Sequence, residues 1–153
     1  MSEKSPEDSQ LLKKTADLVF ADVYDDAPLT HLLPPRQVFV TIYTTQGIID
    51  NGGFRYFFEN DFPNHPPYSY FSDAYREIGV ADVAGWIDRA ALLFGFPDPH
   101  LDREARDNFL QEHCADDECE ICKLGDRAID ARHRVWSSLA AHVRRHQSEF
   151  TAA

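Results

Sequence analysis

No stretch of the 153-residue chain approaches the roughly 20 consecutive apolar residues that a membrane-crossing helix needs, which excludes an α-helical span. The opening residues, MSEKSPEDSQ, lack both the basic and the apolar segments of a secretory signal, so cytoplasmic residence is expected. Basic residues are scarce. Lys and Arg total 15 against 26 Asp and Glu, giving a net charge of −11. Such a surface repels phosphates, so neither direct nucleic-acid binding nor attachment to anionic membranes is expected. Catalytic motifs are missing too: the chain has no Gly-x-Ser-x-Gly, no phosphate-binding loop and no His-Glu-x-x-His. Internal repeats, low-complexity tracts and long linkers are also absent, so nothing divides the chain.

What is present belongs to a folded globule. The chain is 43% apolar and 12% aromatic, and its length suits one domain with a real core. The expected fold is all-α: a single compact domain, residues 1–153, of about six or seven helices. Residues 1–34 form an N-terminal helix and connector, and residues 35–147 form the core. Ser5-Pro6-Glu7-Asp8 reads as an N-cap, a first-turn proline and dipole-favoured acids. Leu12, Ala16, Val19, Phe20 and Val23 then share a helical face, before Asp25, Asp26 and Pro28 end the helix. Leu33-Pro34-Pro35 starts a second helix carrying Val38, Phe39, Ile42, Tyr43 and Gln46; its β-branched run also suits a strand, but the apolar positions do not alternate. Asn51-Gly52-Gly53 predicts a turn, with Asp50 and Asn51 bonding the freed amides of the helix that follows. That short aromatic helix carries Phe54, Phe57 and Phe58. Further helices are predicted up to Gly79, up to Gly95, over about Asp102 to His113, and finally as one long helix bearing Ile129, Trp136, Leu139 and Val143.

The block Gly47 to Asn60 resembles the signature of the bacterial DNA-mimic family, in which an Asn-Gly-Gly-Phe turn leads into an aromatic helix. Tyr75 to Val80, Asp88 to Pro97 and Leu124-Gly125-Asp126-Arg127 resemble later family segments, so the likeness runs from about Pro35 to His146. Here Gly125 stands in place of an acid and Ala128 in place of an aromatic. The resemblance implies an all-helical protein, often a homodimer, that presents carboxylates to a basic DNA-binding regulator in the manner of phosphates. Physically, Asn51, Gly52, Gly53, Phe54, Phe57 and Phe58 read as a fold-shaping motif, since glycine tolerates positive φ and phenylalanines anchor a core.

Carboxylates gather in two places. One is the end of the first helix, with Asp17, Asp22, Asp25 and Asp26; the other runs from Asp98 to Asp130 and includes Asp102, Glu104, Asp107, Glu112, Asp116, Asp117, Glu118, Glu120 and Asp126. The expected partner-binding residues are Asp22, Asp25, Asp26, Asp102, Glu104, Asp107, Asp116, Asp117, Glu118 and Glu120. The bland alternative is a set of solvated faces, with Arg103, Arg106 and Arg127 pairing at helical spacing.

His113-Cys114 and Cys119-x-x-Cys122 carry a competing reading. Three thiolates and one imidazole complete a tetrahedral zinc site, with His133 as an alternative fourth ligand. That reading makes the chain a zinc-stabilised interaction domain whose partner need not be basic. A Cys119–Cys122 disulfide is disfavoured in a reducing compartment. No cofactor other than this zinc is suggested, and no catalytic residue is assigned. A small hydrolase is the third reading, with Asp50, Glu59 and His65 as its only candidate acid–base groups. The other histidines, including His142, read as surface residues.

Overall fold

The computed structural model describes residues 5–24 and 28–151. Seven α-helices and no strand occur among the described residues: α1 (Pro6–Phe20), α2 (Pro34–Glu59), α3 (Tyr68–Glu77), α4 (Ala81–Leu92), α5 (Arg103–His113), α6 (Glu120–Asp130) and α7 (Arg132–Arg145). Short 3-10 turns add Leu29–His31, Pro99–Leu101 and Gln147–Phe150. Among the described residues no helix is long and apolar enough to cross a membrane.

Side-chain caps set three of the helix starts. The Ser5 hydroxyl accepts the amide of Asp8 at 3.1 Å, with Pro6 in the first turn behind it. Asp102 caps α5 by accepting the amide of Ala105 at 3.0 Å. Cys119 caps α6 through its sulfur, which accepts the amide of Cys122 at 3.3 Å. Gly79 (φ 88°) and Gly95 (φ 72°) follow the ends of α3 and α4, as left-handed residues commonly do. The β-branched run Val38 to Thr45 is helical throughout.

The glycines break the helix as expected: two helical halves of α2 meet at a kink at Gly53, whose φ of 66° and ψ of −162° lie outside the helical region. Two other expectations need correction. Asp50 and Asn51 do not cap the second half. Asn51 Nδ2 donates backwards to the carbonyl of Gly47 at 3.0 Å, and Asp50 points into a buried polar network. The expected single final helix is two, α6 and α7, broken at Ala131, because α6 packs on α2 and α4 whereas α7 packs on α1 and α2.

The kink organises the core. Phe54, Phe57 and Phe58 are fully buried, and Phe58 meets Tyr68 at 4.9 Å and Phe94 at 5.0 Å, edge to face in both cases. Such aromatic contacts add about 0.5–1.5 kcal/mol each beyond area burial. The neighbouring glycine has a different duty: a Cβ at Gly52 would sit 2.5 Å from the Cβ of Tyr56. Gly125 brings α6 against the kink, since a Cβ there would lie 2.6 Å from the backbone nitrogen of Phe54.

Two buried polar clusters lock the elements together. The Tyr75 hydroxyl donates to Gln46 Oε1 at 2.8 Å, Gln46 Nε2 donates to Asp50 at 2.9 Å, and the Trp136 indole donates to the other Asp50 oxygen at 3.0 Å. Burial holds the Tyr75 phenol well above its ordinary pKa, so it stays a neutral donor. At the far end of α2, Arg106 is fully buried. Its guanidinium donates to the carbonyls of Phe58 (3.0 Å), Asn60 (3.4 Å) and Pro99 (2.8 Å) and to Asp61 Oδ1 (2.6 Å). Those groups include carbonyls that a helix end leaves without partners.

Candidate acidic interface

The 11 excess negative charges are unevenly spread. Residues 98–130 hold eleven acids against four basic side chains, a net of −7 within one segment. One of those four, Arg106, is turned inward and serves α2, contrary to the expected surface pairing. Arg103 does pair at helical spacing, with Asp107 at 3.6 Å, and also reaches Asp61 at 3.4 Å. Elsewhere several arginines are matched to acids. Arg134 meets Asp82 at 2.6 Å, Arg144 meets Asp8 at 2.7 Å, and Arg76 pairs with both Asp73 and Asp88. Arg134 and Arg144 of α7 therefore neutralise carboxylates of α4 and α1, and the surplus stays on α5, the loop after it and α6.

The expected partner-binding residues separate on this map. Asp102 is exposed and partly occupied as the cap of α5. Glu104, Asp116 and Asp117 are exposed with no ion-pair partner among the described residues, although Asp116 accepts the amide of Glu118 at 2.9 Å. Asp107 pairs with Arg103, Glu118 lies 3.9 Å from Lys123, and Glu120 lies 3.0 Å from Arg89 across to α4. Isolated pairs this exposed contribute about 0–1 kcal/mol and are easily exchanged for a partner's cations. Asp22 belongs to a different face. It follows α1, whose packing partners are α7, α2 and the C-terminal 3-10 turn, and it sits 3.6 Å from Arg36. Asp25 and Asp26 lie outside the described residues.

The structure brings the three thiols together. The sulfurs of Cys114, Cys119 and Cys122 lie within 4.8 Å of one another, and all three are free. His113 does not join them: its ring lies 4.5 Å from that of Phe109. His133, on α7, is not part of the group either.

His142 corrects another expectation. It is buried, not a surface residue, with Nε2 on the carbonyl of Pro35 at 3.0 Å and Nδ1 without a partner among the described residues. Desolvation holds its pKa below the ordinary imidazole value against the pull of that carbonyl. Nothing in the sequence marked it, because it shares α7 with exposed arginines. Arg106 was equally hidden within a highly charged helix. A cavity of about 370 Å³ opens between the end of α1, the first half of α2 and the loop at 62–66. Its lining is aromatic, aliphatic and hydroxylic with the carboxamides of Gln37 and Asn64, and includes no carboxylate, imidazole or thiol among the described residues. The candidate acid–base group of Asp50, Glu59 and His65 does not assemble: Asp50 is held by Gln46 and Trp136, and Glu59 lies 3.6 Å from Arg55.

Residues 30–146 match the family model described as DMP19-like protein, which takes in α2 to α7 and the whole acidic segment. The chain belongs to the DMP19-like protein family. That family is one of DNA mimics, which points to a protein-binding role of that type. In this DMP19-like chain α1 precedes the matched region. No curated protein and no solved structure matches the chain.

Proposed function

We propose that this DMP19-like protein is a DNA mimic that occupies the DNA-binding surface of a basic transcription regulator, through the acidic segment 98–130. The reading rests on one observation above all, the net charge of −7 concentrated there while Arg134 and Arg144 of α7 are spent on other faces. Family membership supports it.

Duplex DNA carries one charge per about 1.7 Å of axis and is met by arginine and lysine. α5 exposes Glu104 and Glu112 about 12 Å apart along its axis, at about 1.5 Å per residue, with half-buried Asp107 between them. Asp116, Asp117 and Glu118 extend the same charge past the end of the helix. A helix capped at Asp102 and anchored by Arg106 holds these carboxylates in place before binding, which limits the ordering cost of association. Asp61 is held down by its Arg106 hydrogen bond and Asp82 by Arg134, the opposite of the raised pKa that a general acid needs.

The test is affinity capture from the protein's own cells at low salt, elution by a salt gradient, and challenge of the captured complex with the regulator's operator DNA. A DNA-binding protein that elutes sharply and is displaced by its operator supports mimicry. A combined variant, Glu104→Gln with Asp116→Asn, Asp117→Asn and Glu118→Gln, should lose that capture while keeping its helical spectrum. Binding that ignores both salt and these substitutions would overturn the proposal.

A further inference from the structure

We propose that Cys114, Cys119 and Cys122 form a three-thiolate site for a thiophilic divalent cation of the zinc class. Their sulfurs already lie within 4.8 Å of one another, although the residues come from the end of α5, the loop and the first turn of α6. In a tetrahedral site with metal–sulfur bonds of about 2.3 Å, ligand sulfurs sit about 3.8 Å apart. Closing onto a cation therefore needs movements of an ångström or so, within reach of side-chain rotation.

The surroundings are those of a held loop. Cys114 is buried in the core, and its carbonyl accepts a hydrogen bond from the Arg55 guanidinium on α2. The Cys119 sulfur accepts the amide of Cys122 at 3.3 Å. The Cys122 thiol faces the carbonyl of Asp116 at 3.8 Å. Without a cation the cluster resists ionisation. Burial and the neighbouring thiols raise the Cys114 pKa well above its usual value, and burial, then Cys119, and only after it the charge of Asp117, raise Cys122 to about 12. A bound cation reverses that balance, since a coordinating thiol is deprotonated outright. The nearby acids oppose a bare thiolate but attract the metal. His113 lies outside the cluster, so the fourth position falls to a ligand from solvent.

The site is independent of the regulator proposal, because its ligands are not the carboxylates offered there. In effect it is a clamp between α5 and α6, tying the acidic loop to the core at its two ends. Occupancy adds stability by mass action, since the unfolded chain does not hold the three thiols together.

The experiment uses the full chain, reduced with a non-chelating phosphine and titrated with zinc against a chromophoric chelator, and then with cobalt(II) as a spectroscopic probe. One zinc per chain is expected, with protons released on binding and a near-ultraviolet thiolate-to-cobalt charge-transfer band. Cys119→Ser and Cys122→Ser should each lose more than about tenfold in affinity, the least that losing even a supporting group of a metal site costs. Serine is itself a preferred helix cap, so Cys119→Ser keeps the start of α6, and circular dichroism verifies the fold of both variants. His113→Ala should bind as the parent does. Sub-stoichiometric zinc, cobalt binding without the charge-transfer band, or undiminished binding by folded Cys119→Ser and Cys122→Ser would each overturn the site.

Discussion

Replacing Gly125 with alanine puts a methyl carbon 2.6 Å from the backbone nitrogen of Phe54, 3.2 Å from its Cβ and 3.4 Å from its Cα. Ordinary carbon contacts begin near 3.5 Å, so α6 must retreat from the kink in α2 by most of an ångström. A retreat of that size forfeits about a quarter to a half of each dispersion contact along the seam. Overpacking of this kind costs about 1–3 kcal/mol, and the upper end applies because the obstacle is mainly backbone and cannot rotate away. Alanine's better helix propensity returns about 0.8–1.0 kcal/mol, which leaves a net loss near ~2 kcal/mol. For a chain of this size that lowers Tm by about 4–8 °C. The control is Gly85→Ala, the same chemical change inside α4, where a Cβ meets nothing within 4 Å. Gly85→Ala should raise stability by about 0.5–1 kcal/mol. Urea and thermal melts followed by circular dichroism measure both. If the two variants shift the same way, the close approach of α6 to Phe54 does not govern this interface and the steric account is wrong.

Arg106→Met should cost about 3 kcal/mol, since it strips the carbonyls of Phe58, Asn60 and Pro99 of a shared donor; denaturant titration measures this, and a loss below 1 kcal/mol would refute that role. Thr45→Val should raise stability by about 1 kcal/mol, because the Thr45 hydroxyl is fully buried without a partner among the described residues; a lower Tm would reveal a hydrogen bond at that site. The depressed His142 pKa makes the folded state resist a proton that the unfolded chain accepts. Its contribution is intact above about pH 6.5 and is lost as pH falls towards the lowered folded value. His31 shifts the other way under the carbonyls of Asp22 and Pro28, so the diagnostic is the difference between the parent and His142→Gln. Glutamine keeps a donor for Pro35, and the Tm of His142→Gln should fall less between pH 7 and pH 5.5 than the parent's; equal slopes would remove His142 from the account.

The helices were legible where chemistry is local. Ser5-Pro6, Asp102 and the glycines after α3 and α4 act through neighbours one to four residues away, and the structure places them as the spacing predicts. The acidic segment was legible as well, because charge counts need no geometry. The reading failed where a residue answers to a distant element. Asp50 looked like a cap but is held by Trp136 from α7, and Arg106 looked like a surface partner for acids but closes the end of α2.

The sequence by itself determined an all-helical chain, the phenylalanine triplet of its core and the excess of carboxylate in one segment, because periodicity, propensity and net charge are properties of a chain before it folds. Only the tertiary structure decided that the final helical stretch breaks at Ala131. It also decided which arginines are spent internally, and that three thiols meet while the neighbouring imidazole stands apart. Those outcomes depend on close approach between segments far apart in sequence, where a few tenths of an ångström or one hydrogen bond outweighs any local preference.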